Sequence, residues 1–188
     1  MMRFALVCCL LAFSLNAVAQ DGEFDYNYLQ ASYQKVDYDF GGDGDGFGLD
    51  ASFAISSNVH IFGGYAGQDI DSDFDTSAWR AGVGLNGSIS RLMDIVVRLS
   101  YETQEIDVPN VGTQDNDGYG LSAGVRVGAN HWIELYGNVS YVDRDSGSET
   151  GLDAGFLLNL GDAFAVGVSG YWDDDITSYA LNGRLYFN

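Results

Sequence analysis

The chain has 188 residues, of which 27 are Asp or Glu and eight are Lys or Arg, giving a formal net charge of −19. Such a chain repels phosphate backbones, which excludes nucleic acid as a partner. Both cysteines, Cys8 and Cys9, lie within the first 19 residues, so the remainder can form neither a disulfide nor a cysteine-ligated zinc site.

The N-terminus has the pattern of a removable export signal. Arg3 precedes the apolar run 4–15, and Ala17-Val18-Ala19 offers a small-x-small cleavage pattern. The run is too short for a transmembrane helix, which needs about 20 apolar residues. We predict a signal peptide over residues 1–19, Sec export, cleavage near Ala19 and a mature domain over residues 20–188.

The mature part is dominated by apolar residues that alternate with small or polar ones, the period of a β-strand. Leu49, Ala51 and Phe53 share one face, for example, while Asp50 and Ser52 share the other. Ten such segments follow one another: 24–38, 47–55, 59–65, 79–85, 95–101, 119–127, 133–141, 152–160, 164–172 and 179–187. A tilted membrane-crossing strand needs about 9–11 residues, and bacterial single-chain barrels have an even number of strands. The sequence therefore predicts an all-β fold, a transmembrane antiparallel up-and-down β-barrel of ten strands, with eight as the alternative count.

The connections between these segments alternate in length and charge. Four are mostly short: 56–58, 88–94, 128–132 and 161–163. Five are mostly longer, and they carry 18 of the 27 acidic residues: 37–46, 69–76, 105–117, 143–150 and 173–176. Short periplasmic turns and long extracellular loops are typical of outer-membrane barrels, so we predict that the acidic loops face the outside.

Aromatic residues occupy the apolar positions nearest the acidic loops. Such rings favour the headgroup level of a bilayer, whereas a general β-sheet preference for aromatics does not predict their place beside the loops. The predicted membrane-interface residues are Phe47, Tyr65, Trp79, Tyr101, Tyr119, Tyr141, Trp172 and Tyr179. At the opposite end, the predicted belt contains Phe53, Trp132, Phe164 and Phe187.

The opposite phase of the strands is small and polar and includes charge. In a soluble sandwich this face is solvent surface, whereas in a barrel it lines the lumen, where charges should pair. The predicted lumen charges are Asp50, Arg80, Arg98, Glu102, Arg126, Glu134, Asp153 and Arg184. Arg126 and Glu134 flank the turn near residue 130 at equal distances, which predicts a cross-strand pair. Inward glycines such as Gly64 and Gly120 should leave room for the long arginines.

Four stretches of the chain are shared with a known group of proteins: Tyr26-Asn27-Tyr28, His60-Ile61-Phe62-Gly63-Gly64-Tyr65, Trp79-Arg80-Ala81-Gly82-Val83-Gly84 and Arg98-Leu99-Ser100-Tyr101-Glu102. With these stretches, the chain resembles the small outer-membrane β-barrel proteins of proteobacteria, broadly the OmpA/OmpX type. Its closer likeness is to a xanthomonad group once described as quorum-sensing or plant-immunity activators. The resemblance implies a barrel in the outer membrane. The C-terminus departs from the usual assembly signal, because Asn188 follows the terminal aromatic Phe187.

The sequence offers no specific catalytic arrangement, so we predict no catalytic residue and no cofactor. His60 and His131 lie at or within short turns and are interpreted as polar turn residues. Oxygen-rich loops could hold calcium or magnesium, although solvated acidic loops are the alternative. The candidate metal ligands are Asp43, Asp45, Asp73, Asp75, Asp173, Asp174 and Asp175.

These observations favour a non-enzymatic outer-membrane barrel with acidic extracellular loops, serving envelope integrity, adhesion or surface interaction and signalling. The alternatives are a narrow channel for small solutes or ions and an outer-membrane hydrolase. The predicted partners are outer-membrane lipid and lipopolysaccharide, the barrel-assembly machinery, and an external ligand or host surface. Divalent ions bridging the loops to lipopolysaccharide are a further hypothesis.

Overall fold

The computed structural model describes residues 24–39, 42–70, 74–108 and 112–187. The predicted signal peptide lies outside these residues and stays a prediction. Ten β-strands make up the regular structure of the described part: β1 Tyr28–Tyr38, β2 Asp43–Ser56, β3 Val59–Ile70, β4 Phe74–Ser90, β5 Met93–Val108, β6 Gly112–Asn130, β7 Ile133–Arg144, β8 Gly147–Asn159, β9 Phe164–Trp172 and β10 Ile176–Tyr186. In the described ranges no helix is long and apolar enough to cross a membrane.

The ten strands close into one barrel. Each strand pairs antiparallel with its sequence neighbours, and β1 pairs with β10 from Tyr28↔Tyr186 to Tyr38↔Ile176. Closure gives every strand two hydrogen-bonded partners, so no sheet edge is left open. The predicted ten-strand up-and-down barrel is confirmed, and the alternative of eight strands is wrong.

The distribution of polarity is the reverse of that in a water-soluble protein. The outward positions of the ten strands are mostly exposed and mostly apolar, and Tyr119 and Leu181 are more than 60% exposed. The buried positions include His60, Asp94 and Glu134. Exposed apolar area on this scale is incompatible with a monomer in water and suits a hydrocarbon solvent.

The two ends of the barrel differ as predicted, but the long connections are not irregular loops. Most of the predicted loop 105–117 is strand, because β5 and β6 continue to the pair Val108↔Gly112. The predicted loop 143–150 is likewise a tight hairpin that closes at Arg144↔Gly147. Polar composition predicted loops here, but the strands stay hydrogen-bonded to each other beyond the membrane. In water a paired strand needs no apolar face, so its sequence does not alternate.

Ring contacts join the predicted interface aromatics across neighbouring strands. The ring centroids of Tyr65 and Trp79 lie 4.6 Å apart, and those of Tyr101 and Tyr119 lie 5.6 Å apart. All eight lie on the outer face, where Tyr65 and Trp172 are half-buried and the other six are exposed. At the other end, the ring centroids of Phe53 and Phe187 lie 5.4 Å apart. Contact of both belts with a membrane interface stays a prediction.

Substitution of Val97 by Arg tests the direction of the apolar face. Val97 lies on the outer face of β5, midway between Met93 at the short-turn end and Tyr101 in the aromatic belt, so the charge should destabilise the barrel in lipid by about 2–4 kcal/mol. The measurement is urea-induced unfolding in lipid vesicles. Thr113→Arg is the matched control, because Thr113 is exposed on the hairpin beyond the aromatic belt and should change stability little. Equal losses for both variants would contradict the orientation.

Candidate functional site

The eight predicted lumen charges all lie on the inner face of the barrel. Arg126, Glu134 and Arg184 are buried, and Arg80 keeps about half of its side chain exposed to the lumen. The remaining four are half-buried: Asp50, Arg98, Glu102 and Asp153. The lumen therefore has a closely filled end near the short turns and a wetter end near the acidic hairpins.

An ion-pair network fills the end of the lumen near the short turns, which is the predicted periplasmic end. Arg126 makes a two-pronged contact with Glu134, with Nε–Oε1 at 2.7 Å and Nη2–Oε2 at 3.0 Å. Arg184 adds a longer ion pair at 3.8 Å, and the Tyr186 hydroxyl donates to Glu134 Oε2 at 3.5 Å. Because one carboxylate serves two guanidinium groups, the network depends on Glu134.

The predicted Arg126–Glu134 pair forms, but the two residues lie diagonally across the strands, whereas the prediction placed them directly opposite each other. Arg126 faces Tyr136 across the ladder, whereas Glu134 faces Gly128. A bulge between Gly128 and Asn130 shifts the register and displaces the turn centre from residue 130. The long arginine reaches its partner across this offset.

Residues 24–27, which precede β1, bend into the barrel; we call them the stopper. The Asp25 side chain accepts a hydrogen bond from the Asn27 amide at 2.7 Å, an Asx-type turn. Asn27 is fixed to the wall in turn, since its side chain accepts from the Ala54 amide at 2.9 Å and its carbonyl from the Phe187 amide at 3.1 Å. This turn sends Phe24 and Tyr26 inward.

Tyr26 is the most enclosed residue of the stopper. Its hydroxyl donates to Asp94 Oδ2 at 3.0 Å, its ring stacks on His60 at 4.8 Å, and the Arg126 guanidinium carbon lies 4.6 Å from the ring centre. Arg126 also lies 4.9 Å from the Phe24 ring. The first strand was predicted within residues 24–38, and β1 does lie there, but the apolar alternation of residues 24–28 gives no sign of the bend that precedes it. The Asp25–Asn27 pair was the signal that favours a turn.

His60 is a lumen residue, so its interpretation as a polar turn residue is wrong. It is fully buried, its Nδ1 lies 3.2 Å from Asn86 Oδ1, and Arg98 Nε donates to its Nε2 at 3.2 Å. Because arginine only donates, Nε2 is the acceptor and Nδ1 carries the proton. Neither ring nitrogen is open to a substrate. His131 lies exposed in the β6–β7 turn, with its ring 4.8 Å from that of Trp132.

The half of the lumen near the acidic hairpins, which is the predicted extracellular half, holds a second set of pairs. Arg80 Nη2 donates to Asp50 Oδ1 at 2.6 Å, and Asn138 donates to Asp153. Arg144 was not among the predicted lumen charges, because its acidic surroundings predicted a loop. Arg144 bridges Glu102 at 3.2 Å and Glu149 at 2.5 Å across the mouth of the barrel. Arg144 lies ten residues after inward Glu134 on β7, and residues an even number apart on a strand share a face, so alternation alone would have placed it inward.

The inward glycines mostly accommodate side chains other than arginine. A Cβ atom at Gly84 would strike His60, one at Gly155 would strike Tyr136, and one at Gly151 would strike Tyr171. Gly64 does border Arg80. The prediction that these glycines make room was based on arginine length, and it overlooked the inward aromatics.

The candidate metal ligands form no group of three among the described residues. Asp45 accepts from the Tyr33 hydroxyl at 3.1 Å, and Asp173 caps its own turn by accepting from the Asp175 and Ile176 amides. Asp43, Asp174 and Asp175 are exposed. Asp73 lies outside the described residues, and of Asp75 only the backbone is described.

Comparison with known proteins agrees with this fold. No protein-family model matches the sequence, and neither does any curated protein. Among solved structures, the chain is similar to the KdgM porin in complex with disordered oligogalacturonate, with a TM-score of 0.51 and 9% identity over 86% of this chain and 99% of that one.

Two further structures show weaker likeness. For the beta domain of the Bordetella autotransporter Brka the TM-score is 0.49, with 12% identity over 85% of this chain and 98% of that one. For Ail, the attachment invasion locus protein of Yersinia pestis, it is 0.44, with 11% identity over 85% and 95%. At these identities the likeness shows the fold alone, and the KdgM porin is the structure that supports it. The class of protein is thus an outer-membrane-type β-barrel with a polar lumen.

Substitution of Glu134 by Ala tests the buried network. It leaves Arg126 and Arg184 without their shared carboxylate, and removal of one partner of a buried pair costs about 3–5 kcal/mol. Urea unfolding in lipid vesicles measures the loss. The matched control is Asp50→Ala, whose partner Arg80 stays half-exposed, so the expected loss is about 0–1 kcal/mol. Similar losses for the two variants would show that the periplasmic network is not desolvated.

Proposed function

We propose that the protein is a non-enzymatic outer-membrane barrel that is sealed to solutes and acts through its acidic extracellular hairpins. The observation that carries this proposal is the projection of paired strands beyond the aromatic belt. β5 and β6 stay paired from Tyr101↔Tyr119 to Val108↔Gly112. At about 3.3 Å per residue, this hairpin extends roughly 23 Å along the strands past the belt.

The projecting hairpins are acidic on their outward surface. The exposed carboxylates include Glu105, Asp115, Asp117, Asp143 and Asp145. A field of one sign keeps other anionic surfaces away and favours cationic or metal-bridged contacts. Such a surface suits adhesion, envelope integrity or external signalling. Membership of the xanthomonad group, which the sequence motifs suggest, is part of this proposal.

A groove of about 460 Å³ on the outer wall supports contact at headgroup level. Tyr33, Phe47 and Tyr65 form its lower edge beside the aromatic belt, and Asp45 and Glu105 are among its acidic lining. The rings suit acyl and sugar surfaces, whereas the carboxylates would meet lipopolysaccharide phosphates through divalent cations, which prefer oxygen ligands. We therefore include metal-bridged lipopolysaccharide among the proposed partners.

The lumen argues against the channel and hydrolase alternatives. The periplasmic half is occupied by the stopper and by the network around Glu134. Among the described inward residues, five arginines face six carboxylates, so the lumen carries no strong field of either sign. Both nitrogens of His60 are engaged, which leaves it unsuited to act as a general base. Export by Sec, cleavage near Ala19 and insertion by the barrel-assembly machinery complete the proposal.

Planar-bilayer recording tests the sealed lumen. The refolded chain beginning at Gln20 should insert without discrete conductance, because its periplasmic half is filled. Heat-modifiable gel migration of the same sample establishes that the barrel has formed. Regular single-channel openings from folded protein would favour the channel instead.

Neutralising two carboxylates tests the groove. In the double variant Asp45→Asn/Glu105→Gln, Mg²⁺-dependent binding to immobilised lipopolysaccharide should weaken on the order of fivefold, since two exposed charge contacts of about 0.5 kcal/mol each are lost. The matched control is Asp174→Asn/Asp175→Asn, which removes the same charge from the exposed β9–β10 turn. Equal weakening would indicate general electrostatics, and binding that survives chelation of the metal would reject the bridge.

A further inference from the structure

The stopper occupies a built pocket in the barrel wall. His60 from β3, Asp94 from β5 and Arg126 from β6 surround the Tyr26 ring and hydroxyl, and all three are buried. We call these three residues the tyrosine pocket. It combines an aromatic stacking partner, a hydroxyl acceptor and a cation beside the ring, which together recognise a phenol.

We propose that the stopper is a detachable plug, and that occupation of the tyrosine pocket by Tyr26 is what keeps the lumen from conducting ions. This inference rests on the sealed barrel proposed above and names the element that seals it. The pocket would accept a tyrosine-containing peptide from the periplasmic side in place of Tyr26.

The walls of the pocket are held without help from the stopper. Asn86 and Arg98 fix both nitrogens of His60, and Glu134 fixes the Arg126 guanidinium in a two-pronged pair. The pocket therefore keeps its shape when Tyr26 leaves. Asp94 is the exception, because its Oδ1 is buried without a hydrogen-bond partner and its Oδ2 accepts from Tyr26. This carboxylate selects a hydroxyl-bearing ring over a plain one.

The stopper is attached to the barrel more weakly than any strand. The pairings that close the sheet begin at Tyr28, with Tyr186 on one side and Ser52 on the other. Before that point, Asn27 is tied to the wall by the Ala54 and Phe187 amides, whereas residues 24–26 have, among the described contacts, one main-chain hydrogen bond to the pocket, in which Arg126 Nη1 donates to the Asp25 carbonyl at 3.1 Å. Residues 24–26 can thus leave while the ladder stays intact.

Beyond the stopper, small side chains leave the lumen more open towards the acidic hairpins. The inner positions there include Ser32, Ala66, Ser122 and Ala180, and half of the Arg80 side chain remains accessible. Water that enters from this end meets the filled periplasmic layer, to which Tyr26 and Phe24 contribute two large rings. The proposal requires that loss of the Tyr26 ring opens a path beside the network around Glu134, at the level where the lumen is filled.

The test is single-channel recording of Tyr26→Ala in the chain that begins at Gln20, with folding checked by heat-modifiable migration. We expect discrete openings that are absent from the unmodified chain. The acetylated peptide Phe-Asp-Tyr-Asn, added to one chamber, should suppress them from the periplasmic side, whereas Phe-Asp-Ala-Asn should not. A folded Tyr26→Ala barrel that stays silent overturns the proposal.

Tyr171→Ala is the matched control, because it removes an equal ring from the extracellular half of the lumen, where Tyr171 lies against Gly151. It should stay silent, and openings as frequent as those of Tyr26→Ala would reject a specific role for the stopper.

If Tyr26→Ala does not fold, Tyr26→Phe keeps the ring and loses the Asp94 hydrogen bond. Brief openings are then expected, and their absence counts against the proposal. Openings in the unmodified chain would contradict the sealed barrel itself, whereas silence of all folded variants rejects the plug alone.

Discussion

Hydrogen bonding of the backbone in a solvent that offers no partners is the constraint on which this structure depends. Hydrocarbon cannot satisfy a peptide N–H or C=O, so each strand needs a neighbour on both sides. The β1–β10 pairing supplies the last pair of neighbours and removes the edge. Once the sheet is closed, the outer face of each strand must suit lipid and the inner face must suit the lumen, which explains the period-two pattern throughout the chain.

Closure also creates an interior too narrow for bulk water at one end, and this explains the pairing of its charges. Five arginines inside a barrel would be costly if isolated, since a desolvated charge loses its hydration without compensation. At the periplasmic end, Glu134 and the aromatic rings around Arg126 and Arg184 provide that compensation. Towards the extracellular mouth, looser pairs such as Arg80–Asp50 remain partly hydrated. This gradient in packing supports the proposal that the lumen is sealed.

Sequence alternation was enough to predict the number of strands, their order and which residues face outward, because lipid and lumen impose opposite demands on adjacent positions. It failed where those demands are absent. Beyond the aromatic belt both faces of the strands meet water, so polarity could not distinguish strand from loop, and inward Arg144 at the end of β7 was missed. At the periplasmic end, the bulge after Gly128 and the Asx turn at Asp25 depend on local backbone geometry. His60 differs from these, because it lies between outward Val59 and Ile61 on β3, so the alternation itself places it in the lumen.

The orientation of the two faces is measured most directly by spin-label accessibility along β5. Both cysteines lie in the predicted signal, so single cysteines can be placed at positions 95–100 of the mature chain, one at a time, and labelled in lipid vesicles. The structure predicts that labels at Ile95, Val97 and Leu99 are accessible to membrane-dissolved oxygen, while those at Val96 and Ser100 are shielded from it. A reversed alternation, or a uniform response to a water-soluble nickel complex at all positions, would contradict a barrel whose apolar surface contacts lipid.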